Sequence, residues 1–174
     1  KTITANFAID TYGRTVLATN GTVAKAPDQV LYDHGTTVVL TPAAAPNYHF
    51  VSWTGDATGT DNPLTVTMTG AKTITANFAI DTYTLTYTAG ANGSIVGTSP
   101  QTVNHGSDSA LVTATPALGY HFVAWSDSYP TAARTDLAVT ADITAEATFA
   151  INSYTLTYSA GANGSIVGTS PQTV

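Results

Sequence analysis

The chain is built from nearly identical stretches of sequence that recur after 71 residues. Residues 1–10 (KTITANFAID) recur unchanged at 72–81, and residues 83–103 recur at 154–174 with one change, Thr88 to Ser159. A fixed period of this length predicts a tandem array in which each unit, of about 70 residues, closes its own small core. The functional question is therefore why the unit is repeated.

The period divides the chain into four parts, and we expect a stretch of a longer array because the chain opens inside a repeat. Both joints, at 78–83 and 149–154, lack Gly and Pro, so we expect short, stiff connections and an extended rod. The four parts are the last strand of a preceding repeat, two full repeats and the opening hairpin of a following repeat: residues 1–10, 11–81, 82–152 and 153–174.

Charge is scarce and mostly negative, which argues against several classes of partner. Charged residues make up 9% of the chain and the net charge is −6, whereas an average domain is about 25% charged. Nucleic acids and anionic membranes attract basic surfaces, and the chain has only five Lys and Arg, so we expect it to bind neither. No apolar run is long enough to predict membrane insertion. The absence of cysteine excludes disulfides and thiolate chemistry.

Alternating apolar and polar residues predict strands throughout each repeat. In residues 83–88 (YTLTYT) the apolar side chains alternate with Thr, which is the pattern of a half-buried strand. About six short strands per repeat, with no helical period, predict an all-β fold of tandem small β-rich units. The predicted strands are 15–18, 22–24, 37–41, 48–53, 64–68 and 72–79 in the first repeat, and 83–88, 94–96, 109–113, 120–125, 136–140 and 143–149 in the second.

An Asn-Gly pair separates the first two predicted strands of each repeat, at Asn20-Gly21 and Asn92-Gly93. A tight hairpin requires positive φ at both central positions, which Asn and Gly tolerate. Each pair also begins an N-glycosylation pattern, which we attribute to the turn and to the Ser or Thr that starts the next strand. The sequence therefore predicts a hairpin at each pair.

An aromatic block, Tyr-His-Phe-Val-x-Trp, recurs in both repeats and ends at Trp53 and Trp125. Strict alternation would place Trp on the face opposite Tyr and Phe, whereas a bulge at Ser52 or Ala124 would bring all three rings inward. We expect the block to form the core, because a unit this small needs its one Trp there. The alternative is that Trp53, Trp125 and Tyr129 are exposed rings that stack on a sugar.

Patterns for catalysis and metal binding are weak. His34 and His105 precede Gly in turns, while His49 and His121 lie on strands where we expect them to face solvent. Neither pair has the spacing or the neighbouring carboxylate of a metal site. The acidic loop 56–62 offers oxygen ligands, but it lacks Glu and the spacing of an EF-hand. We therefore expect no metal, no cofactor and no catalytic residue, and we expect that the chain is not an enzyme.

Taken in order, these motifs resemble a known family. A Tyr-Thr-Leu-Thr strand and an Asn-Gly turn precede a Gly turn (Gly35, Gly106), a Thr-Pro segment, the aromatic block, a Gly-Asp-rich loop (55–63), Val-Thr-Met-Thr and Ile-Thr-Ala-Asn-Phe. The series resembles, over the whole chain, the divergent B-repeat of internalin B type. The resemblance implies compact β-grasp-like modules that serve as stalks or accessory modules in bacterial surface and secreted proteins, and it brings no catalytic residues. The second repeat departs from the pattern, with residues 126–130 (SDSYP) replacing the Gly-Asp loop and Ile143 replacing Lys72.

These observations together predict a structural role. We expect a spacer segment of a long extracellular bacterial surface protein, an adhesin stalk or a surface filament, in which each unit contacts neighbouring repeats of the same chain. The incomplete end segments would expose strand edges, so we also expect pairing with other copies by strand addition. The alternative is a multivalent module that binds a glycan or a host or cell-surface protein weakly at each repeat. An exposed Trp would favour this alternative, and a buried Trp the spacer.

Overall fold

Strands and turns account for the whole fold, which confirms the all-β prediction. The computed structural model describes residues 1–174 and contains sixteen strands and no helix. None of its elements is a long apolar helix of the kind that crosses a membrane. The chain folds as two units, which we call unit 1, Lys1–Asp81, and unit 2, Thr82–Val174.

Unit 1 consists of two small sheets, and its first and last strands run in parallel at the centre of the larger sheet. Its strands are β1 Thr11–Ala18, β2 Gly21–Ala26, β3 Leu31–Asp33, β4 Thr37–Ala44, β5 Tyr48–Gly55, β6 Leu64–Thr67 and β7 Lys72–Ile80. The larger sheet is mixed and has the order β3-β1-β7-β5, while the smaller sheet is antiparallel and has the order β2-β4-β6. β1 and β2 lie in different sheets and do not pair with each other, so the turn at Asn20-Gly21 carries the chain from one sheet to the other.

The core of unit 1 joins the two sheets, and period-two alternation decides which side chains enter it. On β7, Ile74 and Ala76 are buried while the neighbouring Thr73 is exposed. On β4, Val38 and Leu40 enter the same core from the smaller sheet. Burying a large apolar side chain of this kind stabilises the unit by about 1.5–3 kcal/mol. The two sheets of unit 1 are therefore held together by one shared apolar core.

Unit 2 repeats this topology. Its strands are β8 Thr82–Ala89, β9 Gly93–Val96, β10 Gln101–Asn104, β11 Val112–Pro116, β12 Tyr120–Trp125, β13 Ala133–Arg134 and β14 Ile143–Ile151. The sheet orders are β10-β8-β14-β12 and β13-β11-β9, and β8 again pairs in parallel with the last strand, β14. Leu85, Val112, Trp125 and Ala145 are among its buried core residues. Each repeat thus has seven strands rather than the six that the sequence predicts, and unit 2 also includes a short strand pair near the end of the chain.

The strands that the sequence analysis missed are short and lie at sheet edges. β3 and β10 each pair only with the first strand of their unit. A strand of three or four residues shows too little alternation to be recognised. The prediction of six strands therefore misses these two edge strands.

Two strands predicted in unit 2 are wrong in position because side chains bind the backbone there. The strand expected at 109–113 begins at Val112, since the amide of Gln101 binds both the N–H and the carbonyl of Ala110. The segment 136–140 forms no strand. Ala138 has a φ of 47°, and its N–H donates to the Asp108 carboxylate instead of to a neighbouring strand. Side-chain acceptors of this kind compete with sheet hydrogen bonds.

The Asn-Gly turns differ from the prediction in two respects. The strands on either side of each turn lie in different sheets and do not pair, so the predicted hairpins are wrong. Asn20 and Asn92 have φ values of 62° and 67°, as predicted, but Gly21 and Gly93 do not have positive φ. A Cβ at Gly21 would instead collide with the ring of Phe78, and one at Gly93 with the ring of Phe149. The expectation of positive φ at both positions is therefore wrong, and glycine is required there by packing.

The segments at the two ends of the chain are largely exposed. Residues 1–10 form no strand, and the side chains of Ile3 and Phe7 are each 94% exposed. Residues 153–174 hold only a short antiparallel pair, β15 Thr155–Leu156 and β16 Gln172–Thr173. Outside these segments the chain is organised into the two sheet pairs described above.

Candidate functional site

A β-bulge in the aromatic strand directs Trp into the core of each unit. On β5, Phe50 pairs with Phe78 of β7 and Ser52 pairs with Asn77, so Val51 is the extra residue. β12 shows the same register shift between Phe122 and Ala124. Because one residue is inserted, Phe and Trp three positions apart face the same side. A bulge is therefore present in both strands, one residue before the positions considered from the sequence, Ser52 and Ala124.

Both tryptophans are buried, which confirms the prediction of a core role. Trp53 is 1% exposed and Trp125 is 2% exposed. The ring centroids of Phe50 and Trp53 lie 5.1 Å apart, and those of Phe122 and Trp125 lie 6.0 Å apart. The tyrosines of the block, Tyr48 and Tyr120, are half-buried outside the core clusters. The core prediction therefore holds for Phe and Trp and is wrong for these two tyrosines.

The loop after the aromatic strand covers the polar edge of each indole. Trp53 Nε1 donates to the carbonyl of Asp61 at 2.8 Å, and Trp125 Nε1 donates to the carbonyl of Thr131 at 2.9 Å. Each indole N–H thus has the partner that a buried Trp requires. A ring buried to this degree offers no open face for a sugar. The third glycan-stacking candidate, Tyr129, is half-buried with its ring against the guanidinium of Arg134.

The buried Arg134 is the centre of a polar cluster in unit 2 whose two carboxylates, Asp127 and Asp136, are partly exposed. Its Nε and Nη2 donate to the two oxygens of Asp136 at 2.8 Å each. Its Nη1 and Nη2 donate to the two oxygens of Asp127 at 2.8 and 2.6 Å. Two bidentate pairs satisfy the planar fork of the guanidinium, which is the strongest arrangement for an arginine and carboxylates. We call Arg134, Asp127 and Asp136 the arginine clasp.

Three aromatic rings surround the arginine clasp. The guanidinium carbon of Arg134 lies 4.7 Å from the ring centroid of Tyr129, 5.3 Å from that of Tyr87 and 5.4 Å from that of Trp125. Each distance is within the range of a cation–π contact. The hydroxyl of Tyr87 also donates to Asp136 at 2.6 Å. The clasp therefore joins β8, β12, β13 and the loop that follows β12.

The clasp stays ionised at neutral pH. Hydrogen bonds from Arg134 lower the pKa of Asp127. Burial acts to raise the pKa of Asp136, but hydrogen bonds from Arg134 and Tyr87 outweigh it and lower that pKa. Burial also opposes the charge of Arg134, yet the two carboxylates keep the pKa of its guanidinium above the ordinary value. Burial and the hydrogen bond to Asp136 raise the pKa of Tyr87 to about 12.

Unit 1 buries a different arginine, Arg14 on β1. Its guanidinium carbon lies 5.1 Å from the ring centroid of Tyr32, and its Nη2 donates to Asp28 at 3.2 Å. Sequence reasoning missed both buried arginines. One signal was available: they are the only two arginines of a chain with few charges, and each unit has one.

The histidines lie where the sequence predicts, and each has a single local contact. His49 and His121 are exposed, and their Nδ1 atoms lie 2.9 Å from Asp81 Oδ1 and 3.0 Å from Asn152 Oδ1 respectively. In the turns, His34 packs edge-on against Tyr12, and His105 Nδ1 lies 3.2 Å from the hydroxyl of Tyr83. No three His, Cys, Asp or Glu side chains converge as a metal site would require.

The acidic loop of unit 1 uses its carboxylate to hold the backbone. Asp56 accepts the N–H of Thr73 at 2.7 Å, close to the start of β7. Gly55, which precedes it, has a φ of 98°, and a Cβ there would collide with the carbonyl of Thr73. The loop that was considered as a source of metal ligands is therefore part of the closure of the sheet. In unit 1 this acidic loop holds the chain next to the buried Trp53, and in unit 2 the arginine clasp does so next to Trp125.

The fold and these contacts define a class of protein: tandem two-sheet β modules, each closed around a buried Trp on a bulged strand. The sequence profile of the divergent InlB B-repeat domain matches residues 12–82 and 83–153. The chain therefore belongs to the divergent InlB B-repeat family, whose members occur in bacterial surface proteins. No curated protein sequence and no solved structure is significantly similar to the chain.

Proposed function

We propose that the chain is a non-enzymatic spacer segment of an extracellular bacterial surface protein, such as an adhesin stalk or a surface filament. The proposal rests on a comparison of the two units, which share some structural features and differ in others. The buried Trp, its bulged strand and the Gly–Phe contact recur, whereas the arginine clasp is confined to unit 2. An array kept for a common binding site would repeat the residues of that site. Here the repeated residues are those that close the unit.

The short connection between strands supports a stiff array. β7 ends at Ile80 and β8 begins at Thr82, so a single residue, Asp81, separates them. The N–H of Asp81 donates to the carbonyl of Asn47 at 2.8 Å, and its carboxylate lies 2.9 Å from His49. The connecting residue is thus bound to the body of unit 1 instead of forming a free linker. Neighbouring repeats of the same chain are the partners that the proposal requires.

Small-angle scattering on chains of two, four and six repeats tests the spacer proposal. We expect the maximum dimension to grow in proportion to the number of repeats, by about 30 Å per unit, since the longest strands have eight or nine residues. A matched chain with a Gly-Ser linker inserted after Asp81 should fall below this line. Growth with the square root of the repeat number in the uninterrupted chain, as for a flexible coil, would overturn the proposal.

A second candidate function is weak binding of an extended peptide by strand addition in unit 2. A surface cavity of about 480 Å³ runs along β10, which is an edge strand of its sheet. Its lining is mixed and includes the polar side chains of Thr102, Asn104, Ser107 and Asp108. An edge strand offers unpaired backbone groups to a peptide, and such side chains would fix its register. This cavity lies in unit 2, whereas a multivalent module would need such a site in every repeat.

The substitution Thr102→Pro tests whether the chain acts as a spacer or as a peptide-binding module. Thr102 is an exposed residue of β10, and proline would remove a backbone donor from the strand. Loss of adhesion or peptide capture in a variant that keeps its fold would support the binding candidate. Unchanged adhesion of the variant, with the rod dimensions intact, would contradict it and leave the spacer.

A further inference from the structure

Residues 153–174, which we call the tail segment, keep the local geometry that nearly the same sequence has at residues 83–103. β15 pairs with β16 in the register in which β8 pairs with β10. The hydroxyl of Ser170 accepts the N–H of Tyr158 at 2.8 Å and donates to its carbonyl at 2.9 Å. Ser99 binds Tyr87 in the same way. The tail segment is therefore shaped like the start of a complete repeat.

The second edge of β15 has no neighbouring strand in the tail segment. In β8 the equivalent edge pairs in parallel with β14, and Leu85 and Tyr87 are buried. The sheet of the tail segment contains only β15 and β16, and the equivalent side chains Leu156 and Tyr158 are 40% and 50% exposed. A pair of strands is marginally stable in water, whereas three strands with an apolar face can persist. A parallel third strand would therefore stabilise this segment.

Residues 1–10, which we call the head segment, have the sequence of such a strand. They are identical to residues 72–81, and there β7 pairs in parallel with the first strand of unit 1. The head segment itself forms no strand, and Ile3 and Phe7 are almost fully exposed. The carbonyl of Asp10 accepts the N–H of His34 at 2.8 Å, which anchors the end of the head segment to unit 1. The chain thus has both an empty strand position and a free strand that fits it.

We propose that the head segment of one copy of the chain adds as a parallel strand to the tail segment of a second copy. The pairing between β8 and β14 sets the register. It places Ile3 of one copy opposite Tyr158 of the other, and it places Ala5 opposite Ala160. The head and tail segments are different surfaces, so the contact is heterologous and copies join head to tail. This partner goes beyond the spacer proposal, which requires only neighbouring repeats of the same chain.

A steric match between the two segments supports this pairing. The ring of Phe149 on β14 fills the space that a Cβ of Gly93 would occupy. In the tail segment the equivalent glycine is Gly164, and the one atom near its Cβ position is a carbonyl oxygen at 3.8 Å. Phe7 of the head segment is the equivalent of Phe149. The added strand therefore brings a phenylalanine to a glycine that lacks one.

Sedimentation velocity of the whole chain at increasing concentration tests the association. We expect the mean mass to rise with concentration, and we expect Phe7→Ala or Gly164→Ala to weaken the association by about tenfold or more. Both residues lie outside the two cores, so these variants should fold. Leu118→Ala removes a fully exposed apolar side chain elsewhere and should associate as the parent does. A parent chain that stays monomeric up to about 1 mM, or equal association in all three variants, would overturn the proposal.

Cross-linking tests the register, because the chain has no cysteine of its own. An equimolar mixture of Ala5→Cys chains and Ala160→Cys chains should form mixed disulfide-linked dimers faster than either variant forms dimers alone. Ser159→Cys in place of Ala160→Cys is the control, since a shift of one residue moves the thiol to the opposite face of the strand. Equal yields from the two mixtures would show random collision and overturn the proposal.

Discussion

The phenyl ring of Phe149 lies directly against Gly93, in the space that the Cβ of any other residue would occupy. Unit 1 repeats the relationship with Phe78 and Gly21. In both repeats the glycine begins the second strand, which belongs to the smaller sheet, and the phenylalanine lies on the last strand of the larger sheet, so the contact joins the two sheets. A turn residue at one end of the repeat is thereby matched to a core residue near the other end.

Gly93→Ala should destabilise unit 2, because the added methyl group meets the ring of Phe149. Overpacking of this kind typically costs about 1–3 kcal/mol. The free energy of unfolding measured by urea denaturation checks the expectation. Gly164 follows Asn163 in the same way but has only one atom nearby, the carbonyl of Gly161 at 3.8 Å, so Gly164→Ala is the matched control and should have little effect.

A double variant tests whether the ring is the cause. Phe149→Leu should recover part of the stability lost in Gly93→Ala, giving a coupling energy between neighbouring sites. Additive losses in the double variant would show that the methyl group acts through the backbone of the turn instead.

Trp125→Ala should lower the free energy of unfolding of unit 2 by about 3–5 kcal/mol, because it removes the largest buried side chain of that core. The remaining Trp53 then reports on unit 1 alone by fluorescence, while circular dichroism follows both units. Val123→Ala on the same strand is the control, because Val123 is 53% exposed and its loss should matter little. A Trp125→Ala chain of full stability that no longer bound a carbohydrate would refute the core assignment.

Acid should destabilise unit 2 through the arginine clasp. The pKa values of Asp127 and Asp136 are lowered in the folded state, so the unfolded chain takes up protons first as the pH falls. The stability that the two carboxylates contribute is present above the ordinary Asp pKa and is lost below about pH 4. Urea denaturation between pH 7 and pH 2, followed by hydrogen exchange of unit 2 amides, measures the loss.

A neutral replacement of the clasp provides the comparison. Replacing Arg134 by Met and both aspartates by Asn should leave unit 2 folded and flatten this acid dependence, because apolar or neutral substitutes for a buried ion cluster are often tolerated. An equal acid loss in the triple variant would assign the effect to other carboxylates.

One tyrosine should ionise later than the others. The pKa of Tyr87 is raised to about 12 in the folded chain, so its neutral form is favoured by folding and unit 2 should lose stability as the pH rises from about 10 towards 12. Ultraviolet titration should show a late tyrosine step that Tyr87→Phe removes. If the late step remained in Tyr87→Phe, the tyrosine with the raised pKa would be a different one.

The repeat length, the all-β class and the buried aromatic strand were predictable because each rests on local pattern. Period-two alternation on β4, β7 and β8 reports which face is buried, and the bulge at Val51 follows from the need to bury Phe50 and Trp53 together. These inferences use residues that are close in sequence.

The inaccurate predictions share a physical cause, which is the influence of distant partners. The strand expected at 136–140 is lost because Asp108, about thirty residues earlier, binds the N–H of Ala138. The glycine of each Asn-Gly turn is required by a phenylalanine from the last strand. The interior positions of Arg14 and Arg134 depend on rings and carboxylates that only the fold assembles. A local pattern contains none of these partners.

Residues 1–10 and 72–81 separate the two contributions, because their sequences are identical. The sequence by itself determined that this decapeptide alternates and can serve as a strand with one apolar face. Only the tertiary structure decided which copy forms a strand. In β7, β1 and β5 pair with the two edges of the decapeptide and Ile74 is fully buried. In the identical copy at residues 1–10, Ile3 is 94% exposed. The reason is that a strand gains its stability from hydrogen bonds and side chains on neighbouring strands, which lie far away in sequence and are absent around residues 1–10.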